Sequence, residues 1–318
     1  MANQELHVIF GTGPSGQATA RELVRRGKTV KMINRSGKKP GGVPEGVTVV
    51  AGDLFDVNAA KALAQGATHV YQCSNPPYTK WPEQFPALQT ATLEAAASTD
   101  AKYIVLENVY MYGDTDGQPL TENLPYKADT RKGKVRAQMA LDVMEAHRSG
   151  KVRVAVARAA DFYGSAVLGS AFGERVFGFA VTGKAASVTG NPDKKHTYTY
   201  IEDVGKALAT LGERDEALGQ VWHVPNAAVM TTRQLVAMIF EALGQPVKMS
   251  AMGKTVLRIG GLFVPDAREV VEMLYEFEKD FIVDSSKFTK AFGAQATPYR
   301  EGIKMTVAWY QANYKPAK

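Results

Sequence analysis

The chain carries one cysteine, Cys73, in 318 residues. A lone thiol excludes an intrachain disulfide framework and any cysteine-rich metal site, and it fits a reducing, cytoplasmic setting. No apolar run approaches the roughly 18 residues that a membrane span needs, so no membrane partner is expected. MANQELHVIF lacks a basic segment leading into a long apolar stretch, so no signal peptide is expected either. Internal repeats and low-complexity segments are absent. The 5 histidines are scattered, with no His-x-x-x-His, and there is no Gly-x-Ser-x-Gly elbow, so neither a metal site nor a serine-hydrolase site is expected. Net charge is +6, but the 38 Lys and Arg are spread along the chain apart from one cluster at Arg35, Lys38 and Lys39. That pattern argues against a nucleic-acid surface.

What is present is alternation. LHVIF, KTVKMI, VTVVAGDL, THVYQCS, KYIVLEN and VRVAVARA read as strands. ATARELVRRG, VNAAKALAQG and the segments 81–98 and 129–149 read as helices between them. Strand–helix alternation with continuously apolar strands predicts an α/β fold, a Rossmann-type doubly wound parallel sheet covered on both faces. The rhythm changes after Gly164. A loop-rich stretch leads to the short strand QVWHVPN, a helix capped by Thr231, and further helices. The expected organisation is a dinucleotide-binding domain over 1–163, rejoined by about 196–224, and a smaller, mainly helical substrate lobe over 164–318. Ligands of such sheets bind beyond the carboxyl ends of the strands.

Gly11, Gly13 and Gly16 form G-x-G-x-x-G directly after the first strand and at the start of a helix. The first glycine permits the tight turn, the second lets the backbone approach a pyrophosphate, and the third lets helix pack on strand. Thr12, Pro14 and Ser15 complete the loop, and the helix N-terminus offers N–H donors to phosphate. An acid usually ends the second strand of an NAD site. Here Asn34 and Arg35 stand there, with Lys38 and Lys39 behind, which suits a 2′-phosphate. NADP is therefore the expected cofactor and NAD the alternative. Asp53, followed by Leu54, ends the third strand, where an acid can accept from the adenine amino group; a helix cap is the alternative for Asp53 or Asp56.

GTGPSG, GDL at 52–54, MYG at 111–113, PLTE at 119–122, RAADFYG at 158–164 and HTYTYIEDV at 196–204 follow one another in a familiar order. In these the chain resembles the short-chain dehydrogenase/reductase superfamily, in its extended branch of epimerases, dehydratases and reductases. The resemblance implies that Ser74 and Asn75 lie in a cofactor-contacting loop, that His196 lies in a segment lining the substrate cleft, and that two copies of the chain pair as a homodimer. Tyr126, Tyr163 and His196 are the candidate substrate residues, with a structural hydrogen bond the favoured alternative for His196. Three positions depart from the family pattern. Phe10 takes the place of a first glycine in G-x-x-G-x-x-G. Asn108 stands where the catalytic Ser or Thr belongs. The family's Tyr-x-x-x-Lys falls on Thr130 and Lys134, so the lysine is kept and the tyrosine is lost.

Ala137, Ala140, Leu141 and Met144 make an apolar stripe at helical spacing, and stepping back along it reaches Lys134. Lys134 is therefore expected to face inward toward a ribose, while Arg131, Lys132 and Arg136 face water. An aliphatic hydroxyl is too weak an acid to replace a phenol, so Thr130 can only hydrogen-bond. Asn108 can still donate to a carbonyl oxygen. Tyr110 is the first choice for a substitute proton donor and Tyr126 the second. Three readings follow. The first is an NADP-dependent oxidoreductase acting on a small carbonyl compound or enone. The second is a redox-neutral nucleotide-sugar epimerase or dehydratase with bound NAD. The third is a non-catalytic NADP-binding sensor.

Overall fold

The computed structural model describes residues 5–260 and 265–316. Contacts divide the chain into two compact units. The first comprises Met1–Met111, Arg131–Ala159 and Glu202–Val224; the second comprises Tyr112–Thr130, Ala160–Ile201 and Pro225–Lys318. These bounds differ from the expected ones at two places, for a hydrogen-bonding reason. Leu120 donates to Ile282 and accepts from Asp284, which ties 112–130 to the second unit. The short strand Asp161–Tyr163 pairs in parallel with Tyr198–Tyr200, which keeps both in the second unit.

The first unit is built on seven strands: β1 (Leu6–Phe10), β2 (Thr29–Asn34), β3 (Thr48–Ala51), β4 (His69–Gln72), β5 (Lys102–Glu107), β6 (Arg153–Arg158) and β7 (Gln220–His223). They form one parallel sheet in the order β7-β6-β5-β4-β1-β2-β3. The order reverses between β1 and β4, and that reversal opens a crevice at the strand ends. The described helices of this unit include α1 (Pro14–Arg25), α2 (Val57–Leu63), α3 (Trp81–Ala97), α4 (Arg131–Arg148) and α5, which begins at Ile201 and ends at Glu213. No described helix is long and apolar enough to cross a membrane.

Local chemistry sets the helix ends. Pro14 opens α1, where its missing N–H costs nothing. The same helix closes with Gly27 at φ +74°, whose N–H donates to Val24 while Lys28 donates to Leu23. That pair satisfies the last carbonyls as a Schellman motif does. Asp56 caps α2 by accepting from Asn58 and Ala59. A close approach fixes α1 against α5: a Cβ on Gly205 would lie 2.4 Å from the backbone of Ala18.

In the second unit, α6 (Thr232–Ala242) starts at the expected cap, Thr231, in a full capping box with Gln234. It packs with α7 (Tyr299–Asn313) in a core rich in aromatic rings, among them Tyr163, Phe172, Phe177, Tyr198, Phe240 and Tyr310.

At the amino ends of β1 and β4, His7 and His69 are paired in register and stacked, with ring centroids 4.3 Å apart. Desolvation pushes both pKa values down to about 4; Glu5 opposes it at both rings, and Lys102 adds to it. The unfolded chain therefore takes up these protons first as pH falls below 6.5, while the folded chain resists until about 4. Stability should be complete above that window and fall by a few kcal/mol across it. Urea midpoints at pH 7 and pH 5 check this, and His7→Gln should flatten the slope.

Candidate functional site

The phosphate cradle forms at the reversal point. Gly11 has φ +114°, and a Cβ there would lie 2.8 Å from the backbone of Cys73 at the end of β4. Only glycine permits that approach. A Cβ on Gly16 would come within 2.2 Å of the Gly11 carbonyl oxygen, so the third glycine lets α1 close on the turn. A Cβ on Gly13 would meet nothing within 4 Å. Gly13 thus borders open space at the N-terminus of α1, and no side chain caps that end. Thr12 is held by Asn34 and Gln17, Ser15 is buried in the first turn, and Cys73 beside it is desolvated, which pushes its thiol up to about 12. Cys73 is a packing residue, not a nucleophile.

At the end of β2 the structure separates the expected contacts. Asn34 spends its amide within its own loop, donating to Thr12 Oγ1 and the Lys38 carbonyl and accepting from Ser36 and Gly37. It shapes the loop instead of reaching a ribose. Lys39 is tied to the carbonyl of Pro44. Arg35 and Lys38 are exposed, and neither side chain makes a hydrogen bond or ion pair among the described residues. Asp53 is exposed and accepts from Phe55 N–H, Leu54 is buried beside it, and the helix cap falls to Asp56.

The ends of β4 and β5 hold three buried polar atoms without a hydrogen-bond partner among the described residues, one of them Glu107 Oε1. The other two are Ser74 Oγ and Asn108 Nδ2. The Asn108 Oδ1 end is used, accepting from Tyr110 N–H at 3.3 Å. A buried donor left without an acceptor is costly unless a ligand supplies one. Asn75 is exposed in the same loop. Tyr110 is half-buried, with its hydroxyl 3.4 Å from that of Tyr78.

The expected face of α4 is corrected. Lys134 is exposed, and Leu141 of the anticipated stripe is 48% exposed. The buried stripe runs through Lys132, Arg136, Met139, Val143 and Ala146. Its charged members are the reason the periodicity misled. Glu107, at the end of β5, is fully buried and accepts from Arg158 Nε at 2.9 Å. The Arg136 guanidinium lies 3.7 Å from the other Glu107 oxygen and 4.5 Å from the Phe85 ring centroid. Lys132 Nζ sits 4.5 Å from the Tyr78 ring centroid. Sequence reading missed Lys132, Tyr78 and this ion network. One signal was available: Glu107 and Arg158 end two apolar strands and pair in register.

The remaining candidates belong to the second unit. Thr130 Oγ1 lies 3.7 Å from Met273 Sδ. Tyr126 packs edge-on against Tyr112. Tyr163 is a core ring, packed among Phe172, Phe177, Tyr200 and Tyr299, so the expectation that it faces a substrate gives way to packing. His196 uses both nitrogens internally, Nδ1 at 3.1 Å from the Glu276 carbonyl and Nε2 at 2.9 Å from Asp161 Oδ2. Its ring stacks on Phe277 and Phe281, so it is a structural histidine, not a substrate ligand.

The family model described as "NAD dependent epimerase/dehydratase family" matches residues 8–224. The chain belongs to this family. Among curated proteins it is similar to the dTDP-glucose 4,6-dehydratase of Actinoplanes sp., 26% identical over 220 residues, covering 66% of this chain and 60% of that one. It is also similar to a trifunctional UDP-glucose 4,6-dehydratase/UDP-4-keto-6-deoxy-D-glucose 3,5-epimerase/UDP-4-keto-L-rhamnose-reductase of Arabidopsis thaliana. That match is 23% identical over 216 residues, 68% of this chain and 29% of the relative. The match thus spans less than two thirds of either relative. Among solved structures, the dTDP-glucose 4,6-dehydratase of Bacillus anthracis in complex with NAD aligns with TM-score 0.79 at 13% identity, covering 98% of this chain and 97% of that one. This likeness shows a shared fold.

Glu107→Leu should leave two buried guanidinium groups facing apolar surroundings and cost about 3–5 kcal/mol. Chemical denaturation in urea, compared with the wild type, measures that loss.

Proposed function

We propose that the chain is a nicotinamide-dinucleotide oxidoreductase within its family, preferring NADP and acting on a carbonyl or alcohol carbon of a small molecule. One observation carries this reading. Beside a pyrophosphate cradle, the ends of β4 and β5 present two buried hydrogen-bond donors without a partner among the described residues, Ser74 Oγ and Asn108 Nδ2. The residues present fit a dinucleotide. Gly13 leaves room for diphosphate at the N-terminus of α1, and the exposed cations Arg35 and Lys38 beyond β2 support a preference for a 2′-phosphate. When bound, the cofactor supplies or accepts the hydride. Asn108 Nδ2 donates to the substrate oxygen and stabilises the negative charge that develops there. Ser74 Oγ takes a ribose or amide partner. Lys132, not Lys134, is the inward lysine of α4.

A second reading has support from the relatives, which are nucleotide-sugar dehydratases and epimerases. In that case the same strand-end groups serve a redox-neutral reaction in which hydride leaves and returns to one substrate. The absence of tyrosine at position 130 bears on both readings, because oxidising an alcohol requires a base.

Calorimetric titration of cofactor-stripped protein with NADP(H) and NAD(H) separates the readings. Tighter binding of NADP(H), weakened about tenfold by Arg35→Ser with NAD(H) unaffected, is the expected result. Tighter NAD(H) would move the assignment to the redox-neutral reaction. On a carbonyl panel, Asn108→Ala should lower kcat by about a hundredfold. Unchanged turnover in that variant would remove Asn108 from the chemistry.

A further inference from the structure

We propose that Tyr110 and Tyr78, flanked by Arg136 and Lys132, form the proton-donating pair that stands in for the tyrosine absent at position 130. The inference rests on the oxidoreductase reading and names the acid that reading lacks.

The first unit contains four tyrosines: Tyr71, Tyr78, Tyr103 and Tyr110. Tyr71 and Tyr103 are sealed in the core, hydrogen-bonded to His7 and Thr92, and burial pushes their ionisation up. Tyr78 and Tyr110 are different. Both occupy single tight turns just beyond the ends of β4 and β5, and both are half-buried. Their hydroxyls are 3.4 Å apart, with Tyr78 donating to Tyr110. Trp81 packs against both rings and holds the pair.

Two buried cations of α4 lie near them, one in direct contact. Lys132 Nζ lies over the Tyr78 ring. Arg136 is fully buried, with Glu107 3.7 Å away; desolvation pushes the ionisation of the guanidinium down and Glu107 opposes that. Nearby positive charge makes a phenol a better acid. Asn108 is coupled to the same group, since its Oδ1 holds the Tyr110 N–H while its Nδ2 has no partner. The donor that would bind a substrate oxygen and the donor that would protonate it are thus set by one turn.

The step balances. As the carbonyl carbon gains a hydride, the π electron pair moves onto oxygen. Tyr110 gives that oxygen its phenolic proton, breaking its own O–H bond and forming the alcohol. Tyr78 passes its proton to Tyr110 and recovers one from water. Alcohol oxidation runs the same transfers backward.

Two measurements test the pair. The first needs neither cofactor nor substrate. Phenolate absorbance is followed against pH in the wild type, Tyr110→Phe, Tyr78→Phe and Lys132→Met. The expected wild-type curve has an early-titrating phenol, lost in Tyr110→Phe and moved to higher pH in Lys132→Met. A wild-type curve with no early component overturns the proposal. The second measurement is turnover. Tyr110→Phe should lower kcat at least about a hundredfold and remove the acid limb of the pH–rate profile, with NADP(H) affinity unchanged as the check on folding. Tyr78→Phe should shift that limb with a smaller loss in kcat. Full activity in Tyr110→Phe overturns the proposal and leaves the oxidoreductase reading standing. An early phenol that responds to Lys132→Met in a protein that transfers no hydride removes the redox reading and, with it, the proton-donating role of the pair.

Discussion

A buried carboxylate organises the chemistry of the first unit. Glu107 ends β5 with no access to water and is held by Arg158 from β6 and approached by Arg136 from α4. Burying one anion between two cations is tolerable only if the geometry is kept, because any unpaired member would face a large desolvation cost. That requirement fixes the rotation of α4 about its axis. With Arg136 turned inward, Lys132 one turn earlier is turned inward as well, and Lys134 is turned out. The ion network therefore decides which lysine stands near the strand ends.

The same strand carries the consequence one residue further. Asn108 follows Glu107 directly, and its amide is divided between Tyr110 N–H and an empty direction. Across the sheet reversal, Gly11 and Cys73 approach too closely for any side chain on the glycine. Backbone closeness at β1 and β4 and buried charge at β5 and β6 thus bracket the crevice from both sides. The turns that follow β4 and β5 carry two phenols, Tyr78 and Tyr110, with Lys132 over the ring of Tyr78.

Histidine shows how burial redirects a titratable group. His196, in its HTYTY setting, could be read as a substrate ligand or as a structural hydrogen-bonding residue. In the second unit it is stacked among rings, and both its nitrogens are engaged. His7 and His69 are equally enclosed at the opposite ends of their strands, where burial disfavours their charged forms and makes stability depend on pH.

The doubly wound sheet, the cradle and the family were legible in the amino-acid order, because each rests on local rules. Apolar runs of strand length, glycines at fixed offsets and a cap at Thr231 need no distant partner to be read. The bland loop around Asn34 and the inward lysine were not legible. Asn34 has the right place for a ribose, and only the folded loop shows that its amide is already spent. A helical stripe was sought among apolar residues, yet the true one contains Lys132 and Arg136. Charges enter a core only where a partner elsewhere in the chain meets them, and Glu107 lies 29 positions from Arg136 and 51 from Arg158. Periodicity is a local property and pairing is not, so sequence determined the fold and its cofactor cradle, while tertiary structure decided which side chains face the chemistry.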